Sequence, residues 1–136
     1  MINADMCRRV AARIEREPPE LFNMETICTQ SHCGTVACIA GHALAESGHT
    51  VVTYELGYSD WSGGAGVDEA GFVLGLEPPA WGRLFYGGEY SDAFKVDDPW
   101  PQWMQAMDDR EAAIACLRGL ADGTVDPVTL ERVVVA

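Results

Sequence analysis

Apolar residues recur at helical spacing from the start of the chain. Met6, Cys7, Val10, Ala11 and Ile14 line one face, and Arg8, Arg9, Arg13 and Arg16 occupy the others. This pattern predicts an amphipathic helix over Ala4–Glu17, capped by Asn3 and stopped by Pro18-Pro19. Glu15 and Glu17 interleave with the arginines, which therefore read as a solvated face. Leu21–Ser31 follows as a connector anchored by Leu21, Phe22, Met24 and Ile27. A second helix is expected from Thr35 to Ser47, with Gly48 as its stop.

That second helix carries three stripes. Val36, Ile39, Ala40 and Ala43 form a broad apolar face, and Ala37, Gly41 and Ala45 form a row of very small side chains. Cys38, His42 and Glu46 form a third row at the same spacing. A glycine inside a helix costs about 1 kcal/mol relative to alanine, so close approach of another backbone should compensate it. Two packable faces make this the expected centre of the domain.

Beyond it the signals shorten. Thr50–Leu56 is rich in β-branched residues and reads as a small β element near 50–56, centred on Val51–Tyr54. Tyr58–Gly66 reads as a flexible loop; it lacks the Lys-Ser/Thr pair of a phosphate loop. Short helices are expected over Asp68–Leu76, led by acids, and Ala80–Tyr86, restarted by Pro78-Pro79. Ala80–Tyr86 should turn Trp81, Leu84 and Phe85 to a core. Gly87–Gln105 is the irregular part, acidic and rich in tryptophan. Asp108 and Glu111 open a helix that closes near Asp122-Gly123, and Asp126-Pro127 caps a last short turn ending in Val133–Val135. The expected architecture is mainly α: five to six short helices packed around the central helix 35–47, in a single domain spanning 1–136.

Charge narrows the choice of partners. Four arginines face six acids in residues 1–50, and five basic residues face fifteen acids in 51–136, so most of the net charge of −12 lies in the second part. Nucleic-acid binding needs the opposite sign. No stretch approaches the roughly 20 apolar residues of a membrane span, and the N-terminus has no signal-peptide core. A cytoplasmic protein with reduced cysteines is expected; its five cysteines form an odd set.

The chemistry concentrates around Cys28, His32, Cys33, Cys38 and His42. Three readings stay open. Cys38 is a small buried residue of a packing helix, since free cysteine is among the most buried types. Alternatively, Cys28, Cys33, Cys38 and His42, with His32 beside them, hold zinc, although no Cys-x-x-Cys spacing is present. Or Cys33 or Cys38 is a nucleophile with a histidine as base, Glu46 orienting His42 and Gly34 offering an amide to an oxyanion. A Cys33–Cys38 disulfide could serve as a redox switch. His49, beside Gly48, reads as a surface loop residue.

The run Phe22-Asn23-Met24, followed by Cys33-Gly34-Thr35-x-Ala37-Cys38-Ile39-Ala40-Gly41-His42-Ala43, resembles a group of small uncharacterised proteins of actinobacteria, other high-GC bacteria and their phages. Gly75-Leu76 and Leu84-Phe85 extend the resemblance, which covers roughly residues 4–86. In that group the position of His42 can be tryptophan, which favours packing over ligation. The resemblance implies a biological setting and no mechanism.

The leading expectation is a non-enzymatic binding or accessory protein without a cofactor, engaging a protein partner or small ligand. Its expected surface is Tyr54, Tyr58, Trp61, Trp100 and Trp103, whose neighbouring acids would select a cationic partner; the alternative is that these rings plug the core under long loops.

Overall fold

A computed structural model describes residues 1–24, 26–31, 34–54, 59–86 and 100–133. The expected segment 87–99, with His32, Cys33, Tyr58 and Val134–Val135, lies outside the described residues. The protein is mainly helical, with six α-helices and two short antiparallel hairpins among the described residues.

Helix α1 spans Ala4–Arg16, and its Asn3 cap accepts the Met6 amide at 3.1 Å. Its apolar face, Cys7, Val10, Ala11 and Ile14, is buried as its spacing requires. The opposite side is not simply solvated. Arg9, Arg13 and Arg16 converge on Glu46, and Arg118 holds Glu15 through two 3.0 Å bonds.

A hairpin of β1 (Thr29–Ser31) and β2 (Gly34–Val36) precedes α2 (Ile39–Glu46). The central helix is thus shorter than its sequence pattern suggests. Its start is displaced because the backbone at Ala37 and Cys38 is held extended by partners distant in sequence. Ala37 N–H donates to Leu21 O, Asn23 N–H to Ala37 O, and Cys38 N–H to Thr26 O. Cys38 becomes the N-cap rather than an interior residue. Residues Ile39 to Leu44 are all buried, and α2 packs against α1, α3 and α4. Helix α1 shares the centre, packing against α2, α3 and α6.

A second hairpin pairs β3 (Val51–Thr53) with β4 (Ser59–Trp61), so the segment expected to be a loop supplies a strand. Helix α3 (Val67–Leu74) ends at Gly75, whose φ of 77° and the N-terminal backbone lying against it both exclude a side chain. Helices α4 (Pro78–Tyr86), α5 (Gln102–Gln105) and α6 (Asp109–Asp122) follow. Asp108 caps α6 by accepting the Arg110 amide, and Asp126 accepts the amides of Val128 and Thr129 in the last turn. One hydrophobic cluster runs through all six helices, with Trp100, Leu84, Leu117 and Leu130 among its buried members. No described helix is long and apolar enough to cross a membrane.

Candidate functional site

The motif segment builds the floor of a cleft. Leu21, Ala37, Gly41, His42 and Ala45 lie along it, Arg13 and Glu17 come from the end of α1, and His49, Val51 and Trp61 close the far side. Its volume of about 370 Å³ is at the small end of ligand pockets. The row of small residues read from the sequence thus has two uses. The Ile27 carbonyl lies so close to Gly41 that a Cβ there would overlap it, and the remaining small side chains leave the cleft open.

His42 is 4% exposed and stacks on Phe22, with ring centroids 5.9 Å apart and planes at 25°. Its Nε2 lies 3.2 Å from Leu21 O. A carbonyl only accepts, so Nε2 carries the proton and Nδ1 holds the lone pair. Burial lowers the His42 pKa from its ordinary value, and the Leu21 carbonyl, which favours a charged ring, offsets this only in part. The imidazole is therefore neutral near pH 7.

His49 is half-buried, not a simple surface residue. Ser47 Oγ donates to Leu44 O at 2.9 Å, which leaves that hydroxyl to accept from His49 Nδ1 at 3.1 Å. The rings of His42 and His49, the Glu17 carboxylate and the Arg13 guanidinium give the cleft polar groups of both kinds, between apolar walls. This arrangement can hold a small, partly apolar molecule carrying hydrogen-bond donors.

The row Cys38–His42–Glu46 is not a relay. Glu46 points to α1, with Oε1 3.2 Å from Arg9 Nε and Oε2 3.3 Å from Arg13 Nη1, so it does not orient His42. Cys38 is 5% exposed, and burial raises its thiol pKa against the opposing pull of the Gly41 and Ala40 amides. The remaining described thiols are also buried. Burial pushes Cys7 up to about 11 and Cys116 to about 12, and raises Cys28 with help from the Asp60 carboxylate. Cys33, the other expected nucleophile, lies outside the described residues.

For a metal, the expected set was Cys28, Cys33, Cys38 and His42. Among the described residues, no three His, Cys, Asp or Glu side chains come together in a way that could hold an ion.

The expected aromatic surface is dispersed. Trp61 is 2% exposed and donates its indole N–H to Ile27 O at 2.7 Å; Trp100 is 1% exposed and donates to Leu84 O at 2.9 Å. Both are core residues, because their N–H groups find buried carbonyls far along the chain. Trp103 is half-buried, donates to Leu130 O at 2.9 Å and lies under the Arg132 guanidinium at 4.3 Å. Among the described residues, its charged neighbours are Arg83, Arg132 and Glu131, so the surroundings are mixed rather than uniformly acidic. Of this set Tyr54 is exposed, and Tyr58 lies outside the described residues.

The exposed ring that the sequence did not single out is Phe72, at 78% exposure on α3. No protein-family model, curated protein or solved structure matches the chain.

Proposed function

We propose that this chain is a non-enzymatic binding or accessory protein, cytoplasmic, and at home in the high-GC bacteria and phages whose small proteins its motif resembles. The observation that carries the reading is how its reactive groups are spent. Cys38 caps a helix in the core, His42 is fixed between Phe22 and the Leu21 carbonyl, and Glu46 is bound by arginines. Described motif residues engaged in this way build a scaffold, which leaves function to surfaces.

The test is the alkylation rate of each cysteine at pH 7, read by mass spectrometry with and without chelator. Binding through a packed scaffold predicts slow modification of Cys7, Cys28, Cys38 and Cys116 that accelerates only on unfolding. A Cys33 that reacts far faster than a free thiol would replace this reading with a thiol-dependent enzyme using Cys33 with a histidine. Slow reaction released by chelator would replace it with a zinc-stabilised interaction module.

A second form of the same reading, a small-ligand protein, is favoured by the cleft beside His42 and His49. Shifts of the His42 and His49 ring resonances on titration with small amines test it, and unchanged rings would remove it.

A further inference from the structure

The α3–α4 corner carries an aromatic groove with a one-sided charge. Met1, Phe72, Leu76 and Trp81 line it, together with Asp68 and Glu77, and it encloses about 480 Å³. Among the described residues, no lysine, arginine or histidine lines it. The groove is built by the sequence. Gly71, inside α3, has no side chain because Trp81 lies against it; a Cβ there would overlap the indole. Trp81 in turn stacks on the buried Phe85, with ring centroids 6.5 Å apart. The indole is therefore braced from behind and half-exposed in front. Asp68 stands four residues before Phe72, so its carboxylate and that ring share one face of α3.

The electrostatics identify the occupant. All eight arginines of the described residues are engaged elsewhere. Arg8, Arg9, Arg13, Arg16 and Arg118 meet carboxylates, Arg83 and Arg110 donate to carbonyls, and Arg132 covers Trp103. Asp68 and Glu77 enter no ion pair among the described residues and are exposed. A second copy of this chain would bring like charge to the groove.

We infer that this groove docks a basic, amphipathic segment of a partner protein. An apolar side chain enters between Phe72 and Trp81, and lysine or arginine side chains meet Asp68 and Glu77. Aromatic faces next to carboxylates also favour a cation placed over the ring. The inference rests on the binding-protein reading and deepens it by giving the site and the chemistry of its partner.

The experiment uses the full chain labelled with ¹⁵N and titrated with a synthetic amphipathic peptide of leucine and lysine. A peptide with glutamate in place of lysine is the control. The expected result is movement of the Trp81 indole resonance and of the amides of residues 68–81 with the lysine peptide alone. Phe72→Ala and Glu77→Lys should each weaken that binding by about tenfold or more, as loss of an anchor does. Both positions are exposed, so an unchanged spectrum of the free variants confirms that they fold. Absence of binding, or binding that the two substitutions leave untouched, overturns the groove. Shifts confined to another surface also overturn it, while leaving the binding-protein reading in place. That reading fails separately, through a fast-alkylating Cys33.

Discussion

The indole of Trp61 donates to the carbonyl of Ile27 at 2.7 Å, and that same carbonyl rests on Gly41. One backbone oxygen thus ties β4 to the motif helix. It also explains why a glycine stands in the middle of α2, where it costs about 1 kcal/mol in helix propensity.

Gly41→Ala should therefore destabilise the fold although alanine is the better helix former. The new Cβ would overlap the Ile27 carbonyl and the Ala37 side chain, and a backbone oxygen already bonded to Trp61 cannot move aside cheaply. Overpacking of this kind outweighs the propensity gain and leaves a net loss of about 2 kcal/mol. Urea denaturation measures it, and near-ultraviolet circular dichroism should report the disturbed Trp61. A stabilised variant would mean that the Ile27 carbonyl does not bear on α2.

This contact also shows where the sequence was readable. The small stripe Ala37, Gly41 and Ala45 announced a close approach, because glycine and alanine at helical spacing have a local cost that something must offset. The approaching group was not announced, since Ile27 belongs to a connector without periodicity. Helices α1 and α6 were legible from their spacing and caps, which are local features. Of the hairpins, β3 was legible in the β-branched run at Val51–Thr53, whereas β1, β2 and β4 were not. Three-residue strands show no alternation to read, and Val36 fits the apolar face of a helix as well as it fits a strand. What decided the matter was the pairing of Ala37 with Leu21 and Asn23, which lies outside any local window. Which tryptophans are buried was not legible for a related reason. An indole looks the same in sequence whether its N–H meets water or a distant carbonyl, and Phe72 reads like a core residue until its face is known.

His42 should make stability depend on pH in a definite direction. Its folded pKa lies below the ordinary value of 6.5, so the unfolded chain binds the proton more readily. The stability this provides is complete above pH 6.5 and is lost as pH falls through the folded value. His42→Phe should remove that slope. Phenylalanine can stack on Phe22, and Leu21 O keeps the Ala37 N–H as a donor, so the substitution itself should cost about 1 kcal/mol or less. Urea midpoints at pH 7.5 and pH 5.5 for both chains give the comparison. An equal loss in both would assign the acid sensitivity to other groups.

Glu46 gathers three arginines of α1 with a carboxylate only 16% exposed. Glu46→Gln removes the negative charge and leaves the guanidinium groups facing one another. The expected loss is about 1–2 kcal/mol, above that of a single surface pair because several partners share the group. Salt screens both the lost attraction and the new repulsion, so the difference should shrink between low salt and 1 M sodium chloride. Urea is the denaturant to use, because it adds no ions. A difference that ignores salt would locate the cost in packing.

Adjacent residues of α3 should respond very differently. Gly71→Ala places a Cβ against the Trp81 indole, which Phe85 backs, so the ring must leave its seat. A loss of about 1–3 kcal/mol is expected, with a change in Trp81 fluorescence. Phe72→Ala removes a ring that is 78% exposed and should alter stability by about 0.5 kcal/mol or less. Thermal unfolding of both variants makes the comparison directly. A large loss from Phe72→Ala would mean that this ring is covered by the protein itself and serves the fold. A neutral result leaves an aromatic side chain held in solvent at no benefit to stability, which is the condition for a residue kept for contact with another molecule.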